Sequence, residues 1–491
     1  MRTRSIRQPF SAALLSSFAI FLMCFSFSLW SQEKYRKTPP YPEPIQDLAL
    51  PAIESVRLSN GLSLTVGLRS NLPLMSLQLI VLAGEADSPG KTPGLAAFAA
   101  QMISRGTQML SSSDIEERIE SFGGNYSAVT TLDYSVFTLN FLEEYLDQAL
   151  DLLSQMILQP AFPDREIEAV KRMMYYDLLE KEKDPEFVAK RHLYRLLFQN
   201  HPYGIAAYNE DVIKNLNQKD LLAFFKKFYR PNNALVILTG DLNLTTATRK
   251  VSHYFNTWEN QPLDRSYLEP PQANPQTRVC LLDFPQGKDA MIYLGNVIFP
   301  YSSPDYFPFL IFNQVLGGTT NSRLFMNLRE SRGYAYYAFS DTEFEKTCGI
   351  FYVKARVTAE VTTAAIQEIL REIQAASRER ILTSELEQAK SYLIQNFPVK
   401  NERLEDFSAT IAKIITFNLG EEHWTKYYEN IMLLNSERVH DVLQRYALLS
   451  PIIVIVGDKN QLIDYLRELE KVEVYNSKGI LESIITKGVN E

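Results

Sequence analysis

The sequence predicts an α+β protein made of two copies of one α/β-sandwich domain, each with helices packed on one face of a mostly antiparallel sheet. Three observations carry this. The chain repeats itself: "FYRPNNALVILTGDLN" (Phe228–Asn243) and "RYALLSPIIVIVGDKNQ" (Arg445–Gln461) each read as a helix end, a proline turn, a buried β run and a Gly-Asp turn. Asp241 and Asp458 lie 217 positions apart, and the helix-patterned stretches Leu95–Arg105 and Tyr306–Leu316 are offset by 211, so one unit of roughly 200 residues occurs twice. Between the copies, Glu259–Thr277 holds Pro262, Pro270, Pro271 and Pro275 and cannot be a helix or a central strand.

The elements of the first copy run in order along the chain. "VRLSNGLSLTVGL" places an Asn60-Gly61 turn between alternating runs, a hairpin signal. "SLQLIVLAGEAD" is a buried strand. "SSDIEERIESFGG" opens on a serine N-cap and closes at Gly123-Gly124. "NYSAVTTLDYSVFTLNFL" is two β runs joined at Leu132-Asp133. Amphipathic helices are expected over about 143–155 and 164–182. The domain reading is 1–31 targeting segment, 32–50 linker, 51–258 first domain, 259–277 interdomain linker and 278–491 second domain.

Composition narrows the function. With 491 residues, 46% of them hydrophobic, the chain is an ordinary globular protein long enough for two or three domains. A net charge of −8 argues against a nucleic-acid surface. Arg2, Arg4 and Arg7 precede the apolar stretch Phe10–Trp30, the pattern of a secretory signal or a membrane anchor, so an extracytoplasmic location is expected, periplasmic or anchored facing the periplasm. Cys280 and Cys348 read as buried thiols. None of the five histidines stands three or four residues from another, so no helical pair can grip a metal. No nucleophile elbow and no glycine-rich phosphate loop is present.

Beyond about residue 50 the chain resembles the insulinase/pitrilysin metallopeptidase family, in its two-domain bacterial and processing-peptidase branch. The resemblance rests on "SNGLSLTV", "PGLAAFAAQMISRGT", "DPEFVAKRHLYRLLFQNHPYG", "FYRPNNALVILTGD", "LGGTTNSRLFMNLRESRGYAYYAFS" and the last "VIVGD", in family order. It implies two domains of the LuxS/metallopeptidase-like fold facing each other across a chamber. It also implies an inverted zinc motif, His-x-x-Glu-His, in which two histidines one helical turn apart bind the metal and the glutamate polarises water. Laid on this chain, those positions are Ala97, Ala100 and Gln101, and the third ligand, a glutamate in the family, falls at Asp177. The frame is kept and the ligands are gone, so no cofactor is expected in this chain.

The resemblance further assigns Arg329 and Tyr336 to the substrate and oxyanion clasp, with Tyr334 and Tyr337 as alternatives for the phenol. Both side chains can donate hydrogen bonds to a carbonyl oxygen that gains charge. It makes the strand through Gly123, Gly124, Asn125, Tyr126, Ser127 and Ala128 an edge that takes an extended peptide by main-chain bonds. His201, in "NHPYG", reads as structural. Two functions remain open. One is a zinc-less subunit that lends Arg329 and Tyr336 to a zinc-bearing homologous partner; the other is an inactive extracytoplasmic peptide-binding or scaffold protein.

Overall fold

The structure, a computed structural model, describes residues 51–487 apart from 70–71, 90–91, 206–208, 265–267, 273–275, 421 and 447–449. The targeting segment 1–31 and the linker 32–50 lie outside the described residues. From Pro51 onward the chain forms one compact unit holding two sheets. Among the described residues no helix is long and apolar enough to cross a membrane.

The first sheet uses β1 (Ile53–Arg57), β2 (Ser63–Leu68), β3 (Leu74–Val81), β4 (Asn125–Thr130), β5 (Ser135–Leu142) and β6 (Ala234–Gly240) in the order β1-β2-β6-β3-β5-β4. The second uses β7 (Arg278–Asp283), β8 (Ala290–Ile298), β9 (Ala335–Phe344), β10 (Gly349–Val357), β11 (Ile452–Gly457), β12 (Lys471–Tyr475) and β13 (Leu481–Thr486) in the order β13-β12-β7-β11-β8-β10-β9. Five neighbours correspond: β2-β6-β3-β5-β4 and β7-β11-β8-β10-β9. In each set the first pair is parallel and the others antiparallel. The duplication read from sequence is therefore a duplication of topology. The Asn60-Gly61 hairpin joins β1 to β2, with Gly61 at φ 90 where only glycine is relaxed.

Six helices of the first half and one of the second set the positions of the functional groups. They are α1 (Leu95–Met102), α2 (Ser112–Ser121), α3 (Leu146–Leu158), α4 (Asp164–Lys181), α5 (Pro185–Phe198), α6 (Gln218–Phe228) and α7 (Leu404–Thr416). The apolar stripes of α1 and α3 pack on β5 and α4 packs on α1, closing the first core around Phe98, Phe137, Leu150 and Met156. α2 starts at Ser111, whose hydroxyl accepts from Asp114 N while the Asp114 carboxylate accepts from Ser111 N. α5 starts on the Asp184 cap, which accepts from Glu186 N at 2.9 Å, with Pro185 in the first helical position.

The helices do not all stay on their own sheet, and here the structure departs from a one-sided sandwich. α5, from the first half, packs on β8 and β11 of the second sheet, where Val188, Ala189, Leu193 and Leu197 meet Cys280, Met291, Tyr293, Ile452 and Val454. α7, from the second half, packs on β2, β3 and β6 of the first sheet, with Ser408 Oγ 2.7 Å from Thr239 Oγ1. Each sheet keeps a glycine beneath the visiting helix. A Cβ on Gly295 would come within 2.9 Å of Leu193 Cδ2, and one on Gly67 within 2.7 Å of Phe407 Cε1. Both Cys280 and Cys348 are free and buried, the first under α5.

Because each half supplies a cover for the other, neither should unfold alone. Leu193→Ala and Phe407→Ala, both fully buried, are each expected to cost about 2–5 kcal/mol. Urea unfolding followed by circular dichroism should then move as one transition. A variant that splits it, leaving one half at its original midpoint, would contradict the mutual cover.

Candidate functional site

α1 carries the positions at which the motif would stand. Its N-terminal amides are held by an acid from the preceding turn: Glu85 accepts from Gly94 N and Ala97 N, both at 2.9 Å, and Ser88 Oγ accepts from Ala96 N at 3.0 Å. These bonds satisfy donors that a helix start leaves free, and a carboxylate suits the positive end of the helix. Burial nevertheless lifts the Glu85 carboxyl above its ordinary range, against the lowering pull of the Ala97 and Gly94 amides. Along α1 every residue is buried except Ala97 and Gln101, which are half-buried. One turn apart, they share a face and open onto a cavity of about 840 Å³.

The cavity is walled by both halves. α1 gives Ala97 and Gln101; α4 gives Met173, Met174, Asp177 and Leu178; and α5 gives Phe187, Lys190, Arg191 and Tyr194. Residues Ala128 to Leu132 of the β4 strand and its turn form another wall, and Glu343 and Glu345 come from the second half. β4 pairs only with β5 and ends its sheet, so its outer edge has no strand partner among the described residues.

Three of the four motif positions meet here. Ala97, Gln101 and Asp177 line the cavity, but Ala100 does not: it is 1% exposed and belongs to the first core. The family's zinc can be tested against this set. Ala97 has no donor atom. Gln101 Nε2 donates to the Ala128 carbonyl at 3.3 Å, and Asp177 is paired with Lys181 at 2.7 Å. Among the described residues no group of three or more His, Cys, Asp and Glu side chains is arranged to hold a metal. These residues do not fit zinc, because one carboxylate already paired and one amide cannot retain it.

Two other expectations meet a different geometry. Arg329 and Tyr336 do not line this cavity. Arg329 lies beside Glu330, 3.7 Å away, and over the Phe325 ring, with its side chain 50% exposed. Tyr336 is 55% exposed and sits under Arg356. The reason is a β-bulge: Arg356 faces Tyr337 and Val357 faces Ala335, so Tyr336 is the extra residue and is turned outward. Tyr337 points the other way, donating to Glu186 on α5 at 3.2 Å. Tyr334 has Arg332 over its ring.

Of the residues assigned to peptide binding, only Ala128 reaches the cavity. Gly123 and Gly124 form the turn from α2 into β4, Asn125 is tied to Asn140, and the Tyr126 phenol is buried. α1 crosses the strand at Ala128, so the open wall runs from Ala128 toward the hairpin tip. His201 is structural: its Nδ1 accepts from Tyr203 N, leaving Nε2 to donate to the Glu269 carbonyl at 2.9 Å.

At that tip the halves touch. Asp133 accepts from Tyr203 Oη at 2.7 Å and from Lys346 N at 2.9 Å. Glu345 lies against it, and burial, then the Asp133 charge, push its carboxyl up to about 9. Sequence reading missed Glu85, the Met173–Met174 wall and this acid pair. A signal for the cavity's two acids of the second half existed: Glu343 and Glu345 alternate along a strand-like run. Nothing local announces the contact of Glu345 with Asp133.

Residues 69–211 match the insulinase family (peptidase family M16), and residues 215–393 match the peptidase M16 inactive domain. The chain belongs to the insulinase family. It is similar to a Helicobacter pylori protein called non-peptidase homolog YmxG, 25% identical over 399 residues that cover 79% of this chain and 90% of that one. In fold it resembles the peptidase M16 inactive domain of Pseudomonas fluorescens, with a TM-score of 0.77, 22% identity and coverage of 83% and 98% of the two chains. It also resembles a protease from Helicobacter pylori, with a TM-score of 0.78, 19% identity and coverage of 83% and 100%.

The Asp133–Glu345 contact makes stability pH-dependent. Between the ordinary carboxylate range and about 9 the folded chain keeps a proton that the unfolded chain has lost, so stability falls as pH rises through that window. Glu345→Gln keeps a donor to Asp133 and removes the titration. Its urea midpoint should change less than that of the wild type between about pH 6 and pH 9, and should exceed it at the upper end. Parallel pH profiles for the two proteins would contradict the assignment.

Proposed function

We propose that this chain is a non-catalytic insulinase-family protein that binds extended polypeptide in its central cavity, working outside the cytoplasm beside a homologous zinc-bearing subunit. Its domains are taken as 51–258 and 278–491, joined by 259–277. One observation carries the reading: β4 ends its sheet, and the chain from Ala128 to Leu132 lines the cavity. The carbonyls of Ala128, Thr131 and Leu132 already accept from Gln101, Glu85 and Ala86. The rest of the β4 edge has no strand partner among the described residues and can take an added strand without special side chains. The motif positions supply neither a ligand set nor a base: Ala97 and Gln101 stand at the histidine positions and Ala100 at the glutamate. The names of the relatives, a non-peptidase homolog and an inactive domain, agree with this.

The purified chain should bind a fluorescein-labelled unfolded peptide, measured by anisotropy, and leave it uncleaved with zinc present. Backbone N-methylation at alternate peptide residues removes the donors that strand addition uses and should abolish binding. Unchanged affinity of the N-methylated peptide, or chelator-sensitive cleavage by the chain alone, would defeat the proposal.

A second reading concerns the partner. Arg329 and Tyr336 are exposed, which leaves both available to a neighbouring subunit as donors to a carbonyl held at that subunit's zinc. In a reconstituted heteromer, Arg329→Ala or Tyr336→Phe should then lower turnover by about 10²–10³-fold with assembly intact by size-exclusion chromatography. Wild-type turnover in the double variant would leave peptide binding or scaffolding as the account.

A further inference from the structure

We infer that the cavity takes an uncharged, apolar side chain from the interior of an extended polypeptide, seated over Ala97. This rests on β4 acting as the strand-adding edge, and it names what that edge selects.

Every charged side chain in the cavity wall already has a partner within the protein. Asp177 and Lys181 pair at 2.7 Å, and Arg191 holds Glu182 at 2.9 Å. Glu343 is bound by both Lys190 and Tyr194. Glu85 is committed to the amides of Gly94 and Ala97, and Glu345 to Asp133. A lysine, an aspartate or a chain terminus entering this space would lose water with no free counter-charge to meet it, and at Lys190–Glu343 and Arg191–Glu182 would compete with a partner already in place.

Beside the polar Gln101, Thr130, Thr131, Tyr194 and Tyr203, the wall carries a continuous apolar part. Ala97, Val129, Leu132, Met173, Met174 and Leu178 surround the space. Val129 is 54% and Met173 40% exposed, high values for side chains facing a cleft in a folded chain. The two methionines are unbranched and polarizable and can fit side chains of differing shape. At position 97 a methyl group stands where the family's first ligand would project, which leaves room over α1 next to the unpaired edge. A strand added to β4 directs alternate side chains to opposite faces, so every second residue of the peptide meets this wall. The volume, about 840 Å³, holds a large side chain and its flanking main chain.

The test uses the full chain and capped, fluorescein-labelled nonapeptides of serine and threonine that differ only at the central residue. Leucine and phenylalanine peptides should bind about 10-fold or more tighter than the alanine peptide, and lysine and glutamate peptides no tighter than alanine. Ala97→Phe fills the space and should bring the leucine peptide down to the level of the alanine peptide. Met173→Glu does the same from a partly exposed position where folding is not at stake. Equal affinity across the series, with N-methylation still abolishing binding, would overturn the side-chain pocket and leave strand addition standing. Tightest binding of the lysine or glutamate peptide would also overturn it. Binding of no peptide would remove both this inference and the proposed function. A photoreactive benzoylphenylalanine at position 129, which lines the cavity from an exposed position, reports the occupant without filling the space over Ala97: crosslinking to the leucine peptide supports the inference, and crosslinking to residues 1–50 or to a second copy overturns it.

Discussion

Each half of this chain finishes the other's sheet. β6 and β11 are buried along their whole length, and a strand buried on both faces needs a cover on both. Each half's own helices cover one face. The other face is covered by α5 for the second sheet and by α7 for the first. The glycines at 295 and 67 lie beneath those helices because a methyl group there would collide with Leu193 or Phe407. The relative placement of the halves, and with it the cavity, depends on this exchange.

The two contacts are unlike in chemistry. α5 lies on an apolar surface of Cys280, Met291, Tyr293, Ile452 and Val454. α7 lies on a face that includes Thr239, Ser76 and Gln78, and Arg403 at its start pairs with Glu405 and Asp406. The first contact is held chiefly by removal of apolar surface from water, the second by a mixture of Phe407 and Ile411 packing with hydroxyl hydrogen bonds. The Thr239–Ser408 bond brings geometric definition more than net energy, since it exchanges water bonds for a protein bond, whereas Ser76 Oγ and Gln78 Oε1 are buried without a hydrogen-bond partner among the described residues.

The cavity shows how a catalytic frame can persist without its chemistry. Glu85 still fixes the start of α1, and α1 still crosses β4 at Ala128. What stands at the reactive positions is a methyl group, a buried core residue and an amide already engaged. Around them the charges are matched by partners, so the site offers main-chain edge and apolar surface in place of a Lewis acid and a base.

Local signals settled much of this in advance. The Asn60-Gly61 hairpin and the repeat of "VILTGD" in "VIVGD" each depend on neighbours a few residues apart or on the copy itself, and each holds in the structure, as does a serine N-cap before α2, which the structure puts at Ser111, one residue ahead of the stretch that announced it. The emptied motif was equally legible, because Ala97, Ala100 and Gln101 are a matter of residue type alone. Tertiary structure alone decided three matters. Which helix covers which sheet is fixed by packing between segments far apart in the chain, such as Leu193 on Gly295 and Phe407 on Gly67. That Tyr336 turns outward and Tyr337 inward follows from a one-residue bulge against β10, which no periodicity records. That the cavity's charges cancel depends on pairs such as Lys190 with Glu343, 153 positions apart, brought together only when α5 crosses to the second sheet.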